Sequence, residues 1–437
     1  MERALQWNIV WLSLWLAFVQ VLLNAHNTVV HARKLSTDDP HPGFISIDCG
    51  SPNDYLDEES GIWYQSDTNF TETGTNTKVV PNANLDYPYF GGLLNTLRSF
   101  PEGKRNCYTL KPKQGKNHKY LIRAYFAYGN YDGKNQTPIF DLYVGVNYWD
   151  TVNLGKYYYI SEIIHTPTTD TIHVCLVKTV VGIPFISALE LRPLNNSIYQ
   201  TPLPSSQSLL INQGMFDVAS TNIATHSRYK DDIYDRLWRT INVPYWYQLN
   251  GSVDIDPATT NDPYKLPSQV LRSAAQSYNL SYSLNFDYDS IWKDLDLSSL
   301  YYVYFHFAEI EKLPDGHKRI MNISLYNDQT VLSVPVTLEY LEPVTISPQY
   351  STQSFVQFSI TAASQSAVPP ILNAFELMLF WTSKVHTISP TYIGKEIHVF
   401  QRTMLGTELA ATLTKPTIQG SPHCKCTLPG NLNLSFN

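Results

Sequence analysis

The stretch Lys119-Tyr-Leu-Ile-Arg-Ala-Tyr-Phe-Ala-Tyr-Gly-Asn-Tyr-Asp-Gly133 begins as an aromatic-rich strand and breaks into a turn at Gly129. Aromatic and β-branched residues favour the pleated, half-buried surface of a strand. A weaker copy recurs at Leu300-Tyr-Tyr-Val-Tyr-Phe-His-Phe-Ala-Glu-Ile310. The two copies predict two related β domains. The turn that follows the first copy, residues 128–132, is called the lip, and we expect a ligand there.

The composition agrees with an all-β chain that has substantial cores. The 437 residues fit two domains of roughly 150–200 residues. Hydrophobic residues make up 43% of the chain, and the 30 tyrosines and 27 prolines favour strands punctuated by turns. The net charge of −7 and the lack of a basic stripe argue against a nucleic-acid partner.

Short alternating segments with turn residues between them predict the strands of a sandwich or jelly roll. The segment from Asp57 to Gly74 is polar and predicts a long surface loop that contains Trp63 and Tyr64. In the second half, Ile371–Leu377 repeats Phe185–Leu191, with Ala, Glu and the last Leu in the same places. The predicted strands are Phe44–Cys49, Arg105–Leu110, Ile139–Val146, Tyr157–Ile164, Thr171–Val177, Phe185–Leu191, Val270–Ala275 and Tyr301–Ile310.

The N-terminal residues 1–32 predict a secretory signal peptide. Arg3 precedes an apolar run from Ile9 to Leu23, and a small-residue exit follows at Ala32. The alternative is an uncleaved signal anchor, although the run of about 15 apolar residues is short for a membrane span. Five cysteines are too few for a disulfide scaffold. Cys49, Cys107 and Cys175 permit at most one bridge, and their spacing does not decide which two pair.

Asn-x-Ser/Thr sequons agree with passage through the secretory pathway. Such sequons also arise by chance in an Asn-rich chain, so they support secretion without proving it. The seven predicted glycosylation sites are Asn69, Asn135, Asn195, Asn250, Asn279, Asn322 and Asn433.

Several separated motifs, in order along the chain, resemble the malectin-like ectodomain of plant leucine-rich-repeat receptor-like kinases. The resemblance covers roughly Gly43 to Leu377 and is looser in the second half. The motifs are Phe44-Ile-Ser-Ile-Asp-Cys-Gly50, Leu97-Arg-Ser-Phe-Pro-Glu-Gly103, Tyr120-Leu-Ile-Arg-Ala124, Gly129-Asn-Tyr-Asp-Gly133, Glu162-Ile-Ile-His165 and Pro184-Phe-Ile-Ser-Ala-Leu-Glu-Leu-Arg-Pro193.

This resemblance implies two tandem malectin-type β-sandwiches on the outer face of the plasma membrane. The expected layout is a signal peptide at 1–32, a first domain at 43–196, a linker at 197–209, a second domain at 210–380 and a divergent tail at 381–437. Leu432 and Leu434 look like the start of a leucine-rich repeat. No apolar run long enough to span a membrane follows the signal, and the kinase signatures of the complete receptors are missing from the sequence. We therefore expect a receptor ectodomain without its kinase.

No residue pattern predicts an enzyme, a cofactor or a metal site. The nucleotide, metalloprotease and serine-hydrolase motifs are missing from the sequence, and Cys424 and Cys426 lack partners at zinc spacing beyond His423. Two groups of carboxylates could serve a glycosidase, but such chemistry needs two facing carboxylates, and we interpret them all as solvated loop charges. They are Asp231 and Asp232, and Asp54 with Asp57, Glu58 and Glu59.

The lip combines aromatic faces with planar hydrogen-bonding groups, which is what sugar recognition needs. In animal malectin, aromatic residues after the equivalent strand contact a glucose disaccharide. The resemblance therefore implies Tyr131 as the contact residue, with Tyr128 beside it and Asn130 and Asp132 bonding to hydroxyls. Trp63 and Tyr64 are predicted to lie next to the lip. Alternatively, Tyr131 is simply an exposed loop residue.

Two interpretations of the ligand stay open. The first is a cell-wall carbohydrate or a glycosylated ligand, bound at the lip. The second is a peptide or protein, bound by a co-receptor type ectodomain that binds no sugar. In the family, a carboxylate lies near the last strand, and Val181-Gly-Ile-Pro184 has none. Its loss argues against the disaccharide specificity of animal malectin.

Overall fold

The computed structural model describes the greater part of the chain, and its element order is almost entirely strands. The all-β fold class is confirmed. The described residues are 15, 20, 41–79, 92–154, 158–201, 208–220, 226–241, 246–286, 299–327, 330–348, 352–353, 356–382, 391–393 and 396–398. Apart from residues 15 and 20, the predicted signal peptide lies outside them, as do Cys424, Cys426, Leu432, Asn433 and Leu434.

Among the described residues, thirteen strands precede Gln200, and the part of the chain that they form is called the first half. Their bounds are β1 Ile45–Asp48, β2 Tyr55–Leu56, β3 Trp63–Ser66, β4 Thr75–Lys78, β5 Thr96–Ser99, β6 Arg105–Leu110, β7 Lys119–Ala127, β8 Ile139–Val144, β9 Asn147–Asn153, β10 Tyr158–His165, β11 Ile172–Val181, β12 Phe185–Ile186 and β13 Ala188–Leu194. A 3-10 turn covers Asp67–Asn69.

Fourteen strands from Ser208 to Thr382 form the second half, together with one helical turn, α1, at Ser268–Leu271. Their bounds are β14 Ser208–Val218, β15 Ser227–Arg228, β16 Leu237–Ile241, β17 Tyr247–Asn250, β18 Ser273–Gln276, β19 Leu284–Phe286, β20 Leu300–Phe307, β21 Arg319–Asn327, β22 Thr330–Leu338, β23 Val344–Ile346, β24 Thr352–Gln353, β25 Gln357–Ala362, β26 Ile371–Leu372 and β27 Ala374–Thr382.

The chain divides into two compact units at Ser383, and both halves lie in the first unit. In the second unit, β28 (Thr391–Ile393) and β29 (Glu396–His398) form an antiparallel pair. Among the described residues, no helix is long and apolar enough to cross a membrane. The division of residues 43–380 into two domains with a linker at 197–209 stays a prediction.

One continuous sheet passes through both halves. Its order is β2-β3-β1-β13-β7-β10-β14-β27-β20-β23. The halves meet where β10 pairs antiparallel with β14, with Ile163 opposite Ile211. Each half also contributes a separate four-stranded sheet, β6-β11-β8-β9 in the first and β19-β25-β21-β22 in the second.

Each half has a core that joins the continuous sheet to its own four-stranded sheet. In the first, Phe126 of β7 and Leu189 of β13 belong to one buried cluster with Leu142 of β8 and Val174 of β11. In the second, aromatic residues of β20, β25 and β27 share a cluster, and Phe358 stacks edge-on with Phe375 at 5.4 Å. The alternation of apolar side chains along these strands therefore packs sheet against sheet.

The repeat between the two halves is visible in the strand register. Glu190 of β13 lies opposite Arg123 of β7, and Glu376 of β27 lies opposite Tyr304 of β20. Both glutamates are fully buried. The repeated Ala-x-Glu-Leu segment therefore places a carboxylate at the same position of each half, but opposite different partners.

Two local predictions were wrong. The segment 57–74 is not a surface loop, because it contains β3, which pairs in parallel with β1 through Ile47 and Gln65. Val270–Ala275 is not one strand, because Val270 and Leu271 close the helical turn α1 before β18 begins at Ser273. The backbone N–H of Ser268 donates to Asp231 Oδ2 at 2.7 Å and fixes the start of that turn.

The structure decides the cysteine pairing. Cys107 and Cys175 are opposite each other in the β6–β11 pair, with 4.0 Å between their Cα atoms, and they form a disulfide. Cys49 is free and buried in the core. The limit of one bridge among these three cysteines is confirmed.

A buried ionic network, called the junction network, ties the two halves together. Arg123 donates to Glu162 at 2.5 Å, to Glu190 at 2.7 Å and to the backbone oxygen of Asp235 at 2.7 Å. Arg192 and Arg228 also bridge Glu190 and Asp235, at 2.6–3.0 Å. The network thus sets three guanidinium groups against three carboxylates, and Arg228 and Asp235 come from the second half.

The three arginines decide the protonation of Glu190. Burial alone would raise the pKa of this carboxyl, but Arg192, Arg228 and Arg123 outweigh it and hold the pKa well below its ordinary value. Glu190 is therefore ionised in the folded protein. Glu190 contributes fully to the free energy of unfolding at pH values above the pKa that its carboxyl has in the unfolded chain. This contribution is lost as the pH falls through the lower pKa of the carboxyl in the folded protein.

Replacing Glu190 with glutamine is expected to lower the free energy of unfolding by about 3–5 kcal/mol, because three buried guanidinium groups would then face two carboxylates. The measurement is chemical denaturation of the secreted protein, followed by tryptophan fluorescence. Glu102→Gln is the matched control, since Glu102 is exposed. Equal stability of the two variants would contradict a structural role for the network.

Asp217 on β14 has the opposite pH dependence. Burial raises the pKa of its carboxyl to about 7, against hydrogen bonds from Tyr229 and Ser220. The Asp217 carboxyl has a higher pKa in the folded protein than in the unfolded chain, so its protonated form at low pH favours the folded state. Stability therefore falls as the pH rises from the pKa of the unfolded chain to that of the folded protein. Between pH 5 and 7.5 this group should cost about 2–3 kcal/mol of stability.

We expect Asp217→Asn to remove that loss, because the amide carries no charge at either pH and can keep the bond that Tyr229 donates at 3.0 Å. Unfolding midpoints at pH 5 and pH 7.5 should therefore lie closer together in the variant than in the parent protein. Glu58→Gln, at an exposed carboxylate, should leave the difference unchanged. An unchanged difference in Asp217→Asn would mean that the carboxyl is already ionised at pH 5.

Candidate functional site

The lip is a tight turn at the end of β7. Tyr131 N donates to the Tyr128 carbonyl at 3.2 Å, and Gly133 N donates to the Asn130 carbonyl at 3.0 Å. Gly129 and Asn130 have φ values of +49° and +53°. Two successive left-handed residues are the requirement of a type I′ turn, which glycine and asparagine meet at least cost.

The two lip tyrosines pack inward. The Tyr128 side chain is buried, and Tyr131 is half-buried. The Tyr131 ring lies 5.6 Å from that of Tyr128 and 5.5 Å from that of Phe185. Tyr131 is therefore attached to the first core and is not a freely projecting loop side chain.

The polar atoms of the lip mainly bond to one another. Tyr128 donates to Asp132 and lies 3.3 Å from Asn130 Oδ1. Asn130 Oδ1 also accepts from the backbone N–H of Asn135 at 2.8 Å, and Asp132 Oδ1 accepts from that of Lys134 at 3.2 Å. Burial and the bond to Asp132 raise the pKa of Tyr128 to about 12, so its hydroxyl stays a donor. Asn130 Oδ1 and Asp132 Oδ1, two of the acceptors meant for sugar hydroxyls, are therefore already engaged.

The structure brings Tyr128, Asn130, Tyr131 and Asp132 together but separates Tyr64 from them. Tyr64 is buried in a small cluster with Tyr125 and Ala127, which point to the opposite face of β7 from Phe126. Its hydroxyl donates to Glu190 and accepts from Arg228 Nη1 at 2.9 Å. Tyr64 is therefore part of the junction network, and its predicted place beside the lip was wrong.

Trp63 alternates with Tyr64 on β3 and is half-buried. Its indole nitrogen is buried and has no hydrogen-bond partner among the described residues. Nothing in the described contacts links Trp63 to the lip.

Asp232 was also predicted wrongly. It is buried, and its carboxylate accepts from Arg236 at 2.9 Å and from the Trp238 indole at 3.0 Å. It holds the loop between β15 and β16 in place and is not a solvated charge. Asp231 accepts from the backbone N–H of Ser268, the first residue of α1, so both aspartates have a structural role in this loop.

Sequence reasoning missed a cleft in the second half, called the acidic cleft. It has a volume of about 260 Å³ and is lined by Asp254, Ile255, Asp256, Thr259, Thr260, Asn261, Leu341, Glu342 and Pro343. This is below the 300–1,000 Å³ of typical small-molecule sites, and it is enough for one or two side chains. Three of the lining residues, Asp254, Asp256 and Glu342, carry carboxylates. They come from two separate segments of the chain, so no local sequence motif predicts the cleft.

The predicted glycosylation sites are mostly accessible. Asn69, Asn135, Asn195, Asn250 and Asn279 are exposed, Asn322 is partly exposed, and Asn433 lies outside the described residues. In the part of the chain that the structure describes, no group of three or more His, Cys, Asp or Glu residues could hold a metal ion.

The malectin-like domain family matches residues 47–380. This chain belongs to that family. A leucine-rich repeat receptor-like serine/threonine-protein kinase of Arabidopsis thaliana is 41% identical over 342 residues, which is 76% of this chain and 37% of the relative. A second Arabidopsis thaliana receptor-like kinase, MEE39, is 37% identical over 349 residues, 77% of this chain and 37% of the relative. The chain thus spans just over a third of the length of these receptor kinases.

Solved ectodomains have the same fold. The ANX2 ectodomain of Arabidopsis thaliana superposes with a TM-score of 0.62 at 16% identity, covering 78% of this malectin-like chain and 97% of its own. The plant receptor-like kinase FER superposes with a TM-score of 0.61 at 16% identity, with 78% and 96% coverage. A complex of the plant peptide RALF23 with FER and LLG2 contains a chain that superposes at 0.59 and 15% identity, with 78% and 96% coverage. The family match covers the malectin-like region only.

The close contact at Gly129 gives a test of the lip. A Cβ on Gly129 would lie 2.0 Å from Val79 Cγ1, whereas one on Gly133, also at positive φ, would meet nothing within 4 Å. Gly129→Ala should therefore cost more stability than Gly133→Ala, whose cost is about 1–2 kcal/mol for the left-handed conformation alone. Thermal unfolding of both variants measures the difference. Equal costs would show that the lip can move away from Val79.

Proposed function

We propose that this chain is the extracellular ligand-recognition region of a receptor-like kinase, and that its ligand is a peptide or protein. The observation that carries the choice of ligand is the closed bonding of the lip. Tyr128 donates to Asp132, backbone N–H groups of residues 134 and 135 donate to Asp132 and Asn130, and Tyr131 packs onto Phe185. A sugar would have to break these contacts before it could bond there.

Two further features support a peptide or protein. The acidic cleft has room for one or two side chains. Asp256 and Glu342 would attract a basic one, and so would Asp254, which pairs with the exposed Arg272 at 3.4 Å. In addition, the structural neighbour FER was solved with a peptide, RALF23, and with LLG2. By analogy, a co-receptor is an expected partner of this chain.

The function does not require catalysis by this chain. Asp232 pairs with Arg236, and Asp231 accepts from the backbone N–H of Ser268, so both carboxylates that the sequence offered for catalysis are engaged in the structure of their own loop. In this proposal the chain only binds, and a kinase elsewhere in the receptor would carry the signal across the membrane.

The proposal is tested by presenting the secreted full chain with two sets of probes. One is a library of synthetic secreted-type peptides, both basic and acidic, read by biolayer interferometry. The other is an array of plant cell-wall oligosaccharides. We expect binding of basic peptides, silence on the array, and no effect of Tyr131→Ala on peptide affinity.

The acidic cleft is tested by neutralising its three carboxylates together, as Asp254→Asn, Asp256→Asn and Glu342→Gln. The affinity for basic peptides should fall by at least about tenfold, which is about 1.4 kcal/mol. Neutralising three exposed carboxylates elsewhere, Glu58, Glu72 and Glu102, makes the same change in net charge and should have little effect. Array binding that Tyr131→Ala abolishes would instead favour the carbohydrate interpretation.

A further inference from the structure

The second half exposes a group of aromatic side chains that none of the preceding sites uses. Tyr247, Tyr278 and Tyr282 have exposures of 55%, 46% and 59%, and Leu280 between them is 47% exposed. These four residues are called the tyrosine patch. The Tyr278 ring lies 4.6 Å from that of Tyr247 and 6.4 Å from that of Tyr282, in edge-to-face geometry. Contiguous exposed aromatic surface of this kind commonly marks a contact surface.

The position of the patch on the fold is fixed. Tyr247 begins β17, which pairs with β18 through Tyr247 and Gln276. Tyr278 follows the end of β18 by two residues, so the two rings meet at one edge of this small sheet. Tyr282 is carried back towards them by a turn in which its N–H donates to the Asn279 carbonyl at 3.2 Å.

The sequence places a glycosylation sequon inside the patch. Asn279-Leu-Ser281 is flanked directly by Tyr278 and Tyr282. Asn279 and Ser281 are both exposed, and Asn279 Oδ1 accepts from the N–H of Ser281 at 2.8 Å. This turn holds the Asn279 side chain beside Ser281, the residue of the sequon that the oligosaccharide-transferring enzyme must recognise. It leaves the amide nitrogen of Asn279 available.

We infer that an N-linked glycan on Asn279 covers the tyrosine patch, with its first sugar packed on the exposed rings. In the modification, Asn279 Nδ2 attacks C1 of a lipid-linked oligosaccharide. The nitrogen loses one proton, the bond from C1 to the diphosphate breaks, and the lipid diphosphate leaves. The glycan that covers the tyrosine patch is thus attached to the chain itself, and no second protein is required to bury the tyrosine rings.

Sugar rings suit this surface because they have C–H-rich faces that pack on aromatic rings and hydroxyl groups that stay in water. The Leu280 side chain extends the apolar area beside the turn. A bulky, soluble group at this point would prevent self-association through exposed aromatic side chains. The inference rests on the secretion that the proposed function requires, but it does not depend on the identity of the ligand.

The test uses the full chain, secreted with its own N-terminal segment from cells whose N-glycans stay oligomannose, so that endoglycosidase H leaves one sugar on each site. Glycopeptide mapping measures the occupancy of Asn279 and Asn195. N-acetylimidazole then labels exposed tyrosines, and mass spectrometry measures the labelling rates of Tyr247, Tyr278 and Tyr282, with the exposed Tyr340 as an internal reference.

We expect Asn279 to be occupied. Asn279→Gln and Ser281→Ala, which remove the glycan in two different ways, should each raise the labelling rates of Tyr278 and Tyr282 by about two- to threefold. Endoglycosidase H should leave these rates close to those of the untreated protein, because the first sugar remains. Asn195→Gln removes an exposed sequon in the first half and should leave the patch unchanged.

Two results would overturn the inference: a bare Asn279 beside an occupied Asn195, or an occupied Asn279 whose neighbouring tyrosines react as fast as in both variants. Either result leaves the proposed function standing. A secreted chain that carries no sugar at any sequon would also overturn the inference, whereas a chain that the cells fail to secrete would contradict the secretion on which both proposals rest.

Discussion

The structure depends on one fully buried carboxylate. Glu190 lies at the centre of the continuous sheet, where Arg123, Arg192 and Arg228 all reach it and Tyr64 and Tyr125 donate to it. The cost of removing a single carboxylate from water would be several kcal/mol. The three arginines, the further carboxylates and the hydroxyls together offset that cost. Because the partners come from β3, β7, β13 and β15, satisfying this one group fixes how both halves pack.

The second half uses the same position differently. Glu376 accepts from Tyr199 at 2.8 Å and lies 3.1 Å from His306 Nε2. The Tyr199 ring in turn packs edge-to-face on the rings of Tyr264 and Tyr304. A single arginine, Arg236, approaches it, at 3.6 Å. The repeat is therefore kept in the backbone, while the partners of the buried carboxylate changed from arginines to tyrosines and a histidine. The arginine-rich version lies where the two halves meet, which is where charged side chains can be shared between them.

Much of the fold was predictable because alternation is a local signal. Phe185–Leu191 and Ile371–Leu377 could be matched from sequence. The errors at Tyr64 and Asp232 have different causes. Tyr64 is buried against a distant partner, Glu190, which no local pattern indicates. Asp232 is buried by Arg236 and Trp238, which lie nearby in the sequence but in a segment whose polar composition hides their contact. Nothing in residues 57–74 alone indicates a parallel pairing with β1, and nothing in three cysteines indicates which two face each other.

The candidate site shows the same limit of local reasoning. The lip was found correctly as a turn with aromatic and polar residues, yet the same residue types that could bind a sugar also bind one another. Type I′ geometry forces Tyr128 and Tyr131 close together, so their rings pack and their neighbours' oxygens accept from within the turn. Composition alone cannot distinguish a binding lip from a self-satisfied one. The free surface chemistry lies instead in the second half, where carboxylates line a cleft and three tyrosines stay exposed. The first half thus carries the disulfide and most of the junction network, whereas the acidic cleft and the tyrosine patch both lie in the second half.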